Sequence, residues 1–183
     1  MRTIFLFIPI LGAPLLHAPV LRFDLVRRLK RPMDGGRTFR GQRLFGDNKT
    51  WRGALCMFVG ALVATVLLSA VPAYWHRLPQ SIQARSPWLL GCVIGLGVVL
   101  GELPNSFIKR QLHITPGARR RGMRGLFFAI FDQGDFVPVI WLLLLPLWPI
   151  PLGELLLAFA TIVAVHLVVN LIGFAIGARK TPI

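Results

Sequence analysis

Three carboxylates stand where carboxylates are costly. Glu102, Asp132 and Asp135 each lie within a run of apolar residues long enough to cross a bilayer. A charge at that depth costs about 3 kcal/mol or more, so it marks a site or a buried pair. Asp132 and Asp135 are one helical turn apart on one face of their run. Two carboxylates that close repel, and one takes up a proton unless a cation neutralises them. Oxygen pairs of this kind suit Mg²⁺, which favours one or two carboxylates plus the oxygens of a bound phosphate.

Other polar residues share their depth. Glu102, Asn105, Ser106 and Lys109 follow i, i+3, i+4, i+7 spacing and form one polar stripe on an otherwise apolar helix. His166 and Asn170 repeat the i, i+4 step in a later run. Counted from the flanking charges, Glu102, Asp132 and Asn170 lie roughly 10–12 Å in from one membrane side. Two basic loops adjoin that side. Carboxylates beneath a basic rim are what metal-assisted chemistry on a phosphorylated substrate requires. Each residue also has a plainer reading. Glu102 could pair with an arginine of the loops, and Asp132 and Asp135 could be acids at a helix N-terminus. His166 could hydrogen-bond between helices. Arg119, Arg120 and Arg121 read first as topology and lipid-surface charges.

The elements that must position these residues are membrane helices. Of the 183 residues, 55% are hydrophobic and only 15% charged, against about a quarter charged in soluble domains. Mean hydropathy is +0.65. Five runs of about 20 residues suffice to span a bilayer: 3–21, 53–72, 88–107, 126–148 and 154–177. The expected fold is therefore all-α, a single integral membrane domain over 1–183 with five transmembrane helices. The first run has one basic residue ahead of it and a dense basic loop behind, the reverse of a secretory signal, so it is expected to be retained. Cys56 and Cys92 lie in apolar runs without zinc-site spacing and imply no disulfide framework.

Charge sets the orientation. Ten basic residues fall in loop 22–52, six in loop 109–125, and Arg179 and Lys180 in the tail, against Arg2, Arg77 and Arg85 on the other side. The positive-inside rule then places both loops and the C-terminus in the cytoplasm and the N-terminus outside. The same topology accounts for the formal charge of +14. Bilayer-length apolar runs argue against a nucleic-acid partner.

Loop 22–52 contains Gly41 and Gly46 ahead of Lys49 and Thr50, a near-match to a Walker A loop. Asp47 and Asn48 separate the second glycine from the Lys-Thr pair, and no apparent strand precedes the loop, so the P-loop reading fails. A different phosphate cradle remains open, with Gly46 freeing the backbone and Lys49 and Arg52 supplying charge.

Four blocks of residues, in order, carry a family resemblance. The run GDNKTWRG from Gly46 to Gly53 resembles the signature block of the CDP-archaeol synthase family, membrane enzymes related to phosphatidate cytidylyltransferases. GELPNSFIKR from Gly101 to Arg110, DQGDF from Asp132 to Phe136 and HLVVN from His166 to Asn170 resemble its remaining motifs. Glu rather than Asp at 102, Gly rather than Leu at 134, and a tail without an aromatic ending depart from the pattern, as a divergent bacterial branch would.

The resemblance implies Mg²⁺-dependent transfer of CMP from CTP to a lipid phosphate at the cytoplasmic face of the cell membrane, releasing pyrophosphate. It implies Asp132 and Asp135 as metal ligands, Glu102 as a ligand or an acid bonded to one, and Lys109 among the catalytic groups. Lys49, Arg52, Lys109 and Arg110 would contact phosphate. Asp47 and Asn48 would hold cytosine, ribose or metal, and Thr50, Asn105, Ser106, His166 and Asn170 complete the substrate-binding set. Two alternatives stand beside it. One is a phosphatidate cytidylyltransferase acting on diacyl lipid. The other is a transporter with Glu102 and Asp132 on an ion path, which would call for pseudo-symmetric halves with broken helices.

Overall fold

The computed structural model describes residues 2–115 and 122–175. Helices form where the apolar runs are. The first run begins as a 3-10 helix, Arg2–Leu11, and continues as α1, Gly12–Arg22. Helix α2, Trp51–Ser69, starts at Thr50, whose hydroxyl oxygen accepts from the Gly53 amide at 3.2 Å and satisfies one of the orphan donors of the first turn. Two short helices, α3 (Pro72–Trp75) and α4 (Gln80–Gln83), lead to α5, Pro87–Gln111. Proline at its start and Lys109 and Arg110 in its last turn suit the two ends of the macrodipole. The segments Ile4–Arg22, Trp51–Ser69 and Pro87–Gln111 are long and apolar enough to cross a membrane.

The fourth run departs from the expected continuous helix over 126–148. It forms α6, Met123–Phe131, and α7, Phe136–Leu144, with a turn between them that carries both aspartates. Of the residues between, Asp132 and Asp135 are weak helix formers and Gly134 is weaker still. The ring of Phe159 lies 2.9 Å from where a Cβ on Gly134 would sit, so the glycine makes room for that ring. Non-helical backbone at membrane depth persists only when buried in protein or lining a cavity, and this turn is buried at Gly134 and Asp135. Helix α8, Leu152–Ala175, supplies the fifth run.

Helix α5 packs against α2 and α7, and α1 packs against α2. Small residues allow the approach. A Cβ on Gly60 would lie 2.3 Å from the carbonyl oxygen of Gly12, and a Cβ on Gly101 would lie 2.3 Å from the Cα of Phe136. Between the helices Leu6, Ile94, Val98, Val137 and Ile140 are fully buried, while Leu15, Leu67, Trp88 and Leu156 face outward, where lipid would cover them.

The loop between α1 and α2 has structure of its own. A 3-10 turn, Arg27–Leu29, precedes a two-residue hairpin of β1, Thr38–Phe39, and β2, Gln42–Arg43. This is a small exception to the all-α expectation.

Candidate active site

The loop is organised by Asp34, whose side chain is fully buried. It accepts from the backbone amides of Gly36, Phe45 and Gly46, each at 3.0 Å, and from the Arg43 guanidinium at 2.6 and 3.3 Å. Burial alone would raise its pKa. The guanidinium and the three amides outweigh that and hold it well below the usual carboxylate range. The arrangement fixes Gly46, and with it the Asp47–Thr50 segment that leads into α2.

From this frame Lys49 reaches the third span and pairs with Glu102. The plainer reading of Glu102, an ion pair with a loop cation, is thus present, with lysine rather than arginine. Asp47 is exposed and bonded to Arg43 at 2.8 Å. Arg52, expected at phosphate, is buried and donates to Asp24 Oδ1 at 2.6 Å and to the Leu25 carbonyl at 3.2 Å. That bond holds the Asp24 carboxyl below its ordinary value and pins a turn in which Asp24 and Val26 are left-handed.

The second half of the site lies between α5 and the α6–α7 break. The Asn105 amide donates to Asp132 Oδ1 and, at 2.8 Å, to Asp135 Oδ2, so one nitrogen joins both carboxylates. Lys109 pairs with Asp132 from the next turn of α5. Asp135 occupies the N-cap position of α7, but its side chain makes no cap bond there and turns to Asn105 instead. It lies within electrostatic reach of Glu102, Lys49 and Asp132, so the two halves adjoin. Ser106 is half-buried on α5. Arg110 has its Nε and one terminal nitrogen buried without partners.

A divalent cation suits the aspartate half. Asn105 Oδ1 is buried and unpartnered. Turning the amide over would offer that oxygen to a cation shared with Asp132 and Asp135, three hard oxygens of the kind Mg²⁺ takes. No cluster of three His, Cys, Asp or Glu residues with metal-site geometry occurs among the described residues, so the third oxygen has to come from the amide, a phosphate or water.

The His166 ring lies 6.1 Å from that of Phe136 and helps line an apolar recess of about 260 Å³ with Phe7 and Ile162. Asn170 lies on α8, with its side chain outside the described residues, as are Arg119, Arg120 and Arg121. One residue was not legible as a site residue at all. His17, from the first span, enters a cavity of about 220 Å³ lined also by Asn48, Lys49, Thr50 and Glu102.

Apolar helices of spanning length that gather paired carboxylates, ammonium groups and a guanidinium with two unpartnered nitrogens define a helical membrane enzyme with a polar intramembrane site. The chain belongs to the CarS-like CDP-archaeol synthase family, whose model matches residues 4–183. It is 35% identical over 159 residues to the CDP-archaeol synthase of Halobacterium salinarum, covering 83% of each chain. It is 35% identical to that of Thermofilum pendens over 90% of this chain and 73% of the other, and 30% identical to that of Pyrococcus furiosus over 82% and 83%. A solved structure of an intramembrane enzyme for archaeal membrane lipid biosynthesis aligns over 92% of both chains, with a TM-score of 0.67 and 26% identity.

Proposed function

We propose that the protein transfers CMP from CTP to a lipid phosphate, giving a CDP-activated lipid and pyrophosphate, in the cell membrane with its site open to the cytoplasm. An oxygen of the lipid phosphate attacks the α-phosphorus of CTP, and the bond to the β-phosphate oxygen breaks. No protein nucleophile is needed, because the lipid phosphate supplies the electron pair. Both partners are anions, so the chain must offset their repulsion. Lys109, bonded to Asp132, and Arg110, with buried donors unused, support that role. Asp132, Asp135 and the Asn105 oxygen would hold Mg²⁺, which when bound polarises phosphoryl oxygens and stabilises the leaving pyrophosphate. The apolar recess beside Phe136 and His166 supports seating a lipid chain within reach of the aspartates.

The observation that carries this reading is the Asn105 bridge between Asp132 and Asp135 with Lys109 beside it. In the membrane the first three span-length segments, the α6–α7 pair and α8 make five crossings, with the N-terminus outside and both basic loops in the cytoplasm. The test is purified protein with labelled CTP, Mg²⁺ and a panel of ether and ester phospholipid acids. Label in the lipid with equimolar pyrophosphate is the expected result, and the preferred acid separates an ether-lipid from a diacyl-lipid enzyme. No labelled lipid from any acid would overturn the reading.

A further inference from the structure

A second cavity, of about 640 Å³, opens between the 3-10 turn Arg27–Leu29 and the start of α2. Among the described residues it shares no wall with the cavity that holds Glu102, and no carboxylate lines it. Arg28, Arg31, Arg43 and Trp51 surround it, with Gly35 and Gly36. The carboxylates of the loop are committed elsewhere, Asp24 to Arg27, Lys30 and Arg52, and Asp34 and Asp47 to Arg43. That leaves Arg28 and Arg31, both exposed, with no side-chain partner among the described residues. The Gly35 and Gly36 amides donate to the Pro32 carbonyl at 3.1 Å and to Asp34 Oδ1 at 3.0 Å, so neither is free for a ligand. An anion entering here meets two open guanidinium forks, whose planar donors match phosphate oxygens.

Apolar surface adjoins the charge. Phe23, Leu25 and Val26, between the first span and the turn, are exposed, as are Trp51 and, one helical turn further along α2, Leu55. A tryptophan at the head of a span, its indole N–H without a partner among the described residues, has the amphipathic character of a membrane-interface anchor. A phosphate ester in water would use the guanidinium groups and leave these apolar side chains bare. A phospholipid uses both, with its phosphate at the arginines and its chains beside Trp51 and Leu55. The cavity wall is also laced to the active site. The Trp51 amide donates to the Arg31 carbonyl at 3.0 Å and the Met33 amide to the Lys49 carbonyl at 2.7 Å, so an occupant braces the segment that carries Lys49.

We propose that this cavity binds the headgroup phosphate of an anionic phospholipid of the surrounding leaflet, a lipid that takes no part in the reaction. Arg28 and Arg31 hold the phosphate, and the Trp51 indole lies at the level of the ester groups below it. The bound lipid fastens loop 22–52 to the membrane surface at the point where the loop enters α2.

The experiment places full-length protein in phosphatidylcholine nanodiscs and titrates in phosphatidylglycerol brominated on its chains, with tryptophan quenching as the readout. Phosphatidylglycerol carries a phosphodiester and cannot accept CMP, so its binding is not acceptor binding, and the readout is independent of turnover. Wild-type protein is quenched at a lower mole fraction of brominated phosphatidylglycerol than of brominated phosphatidylcholine, and Trp51→Phe removes that difference. The Arg28→Gln, Arg31→Gln double variant raises the half-saturating fraction by about tenfold or more, as expected when two basic contacts at a membrane surface are lost together. Arg37→Gln with Arg40→Gln removes the same charge from the same loop outside the cavity and leaves the fraction within about twofold. All four arginines are exposed, so the variants keep their fold. Equal weakening by both double variants would show diffuse attraction to the leaflet and overturn the site. So would a preference for phosphatidylglycerol that survives Trp51→Phe. Displacement of the lipid by glycerol phosphate in solution would assign the cavity to soluble phosphate esters and overturn the lipid.

Discussion

Lys49 and Glu102, separated by 53 positions in the chain, close an ion pair between the loop before α2 and the C-terminal half of α5. Neither side chain is more than about a quarter exposed, each at 26%. A half-buried carboxylate that loses its partner is left with an uncompensated charge. Lys49→Ala therefore lowers kcat/KM by about 2–4 kcal/mol with every lipid acceptor. The ratio between ether and ester acids stays within about twofold, because the same interaction is lost for both. A tenfold change in acceptor preference would show that the loop reads the lipid.

Asp132→Asn and Asp135→Asn each abolish turnover while the protein remains folded, because the charge removed is the one proposed to hold the cation. A mutant that unfolds at ordinary temperature would show instead that the carboxylate is structural. Full activity in either variant removes it from the metal set. Binding of Mn²⁺ as a paramagnetic stand-in, followed in both variants, gives a readout independent of turnover.

The Asp34 centre makes the loop acid-sensitive. Its carboxyl has a folded pKa below the unfolded value, so its stabilisation is complete above the ordinary carboxylate range, about pH 4. It declines as pH falls below that range toward the lowered value. Limited proteolysis of loop 22–52 across this window should show rising cleavage at low pH. Asp34→Asn, which places an amide before the Arg43 guanidinium and loses about 3–5 kcal/mol of buried pairing, should make cleavage fast at neutral pH as well.

A reporter fused after Ile183 reads cytoplasmic, and one inserted near Arg85 reads external. The opposite result at both positions would invert the topology and put the basic loops on the wrong side.

Much of the site was legible because membranes penalise ionisable residues so heavily. Glu102, Asp132, Asp135 and the Asn105–Lys109 stripe stand out of apolar runs, and the structure brings them together. The helix break was not legible, because the apolar run 126–148 continues through the DQGD segment and hydropathy cannot tell a turn from a helix. The partner of Arg52 was hidden for a related reason. A basic residue beside a phosphate-binding block looks like a phosphate ligand, and only the fold shows Asp24 arriving from 28 residues upstream. Asp34 and His17 carried no periodic signal, since their partners come from distant segments.

Gly101 precedes Glu102, and Phe136 follows Asp135. The point where a Cβ on one helix would collide with the backbone of the other therefore lies one residue from an acid on each side. Neither helix can slide or rotate there without separating or jamming the two acids. Any side chain at 101 would act as a wedge driven in beside the two acids. The clearance between α5 and α7 thus works as a gauge for the width of the site, cut to the thickness of two backbones.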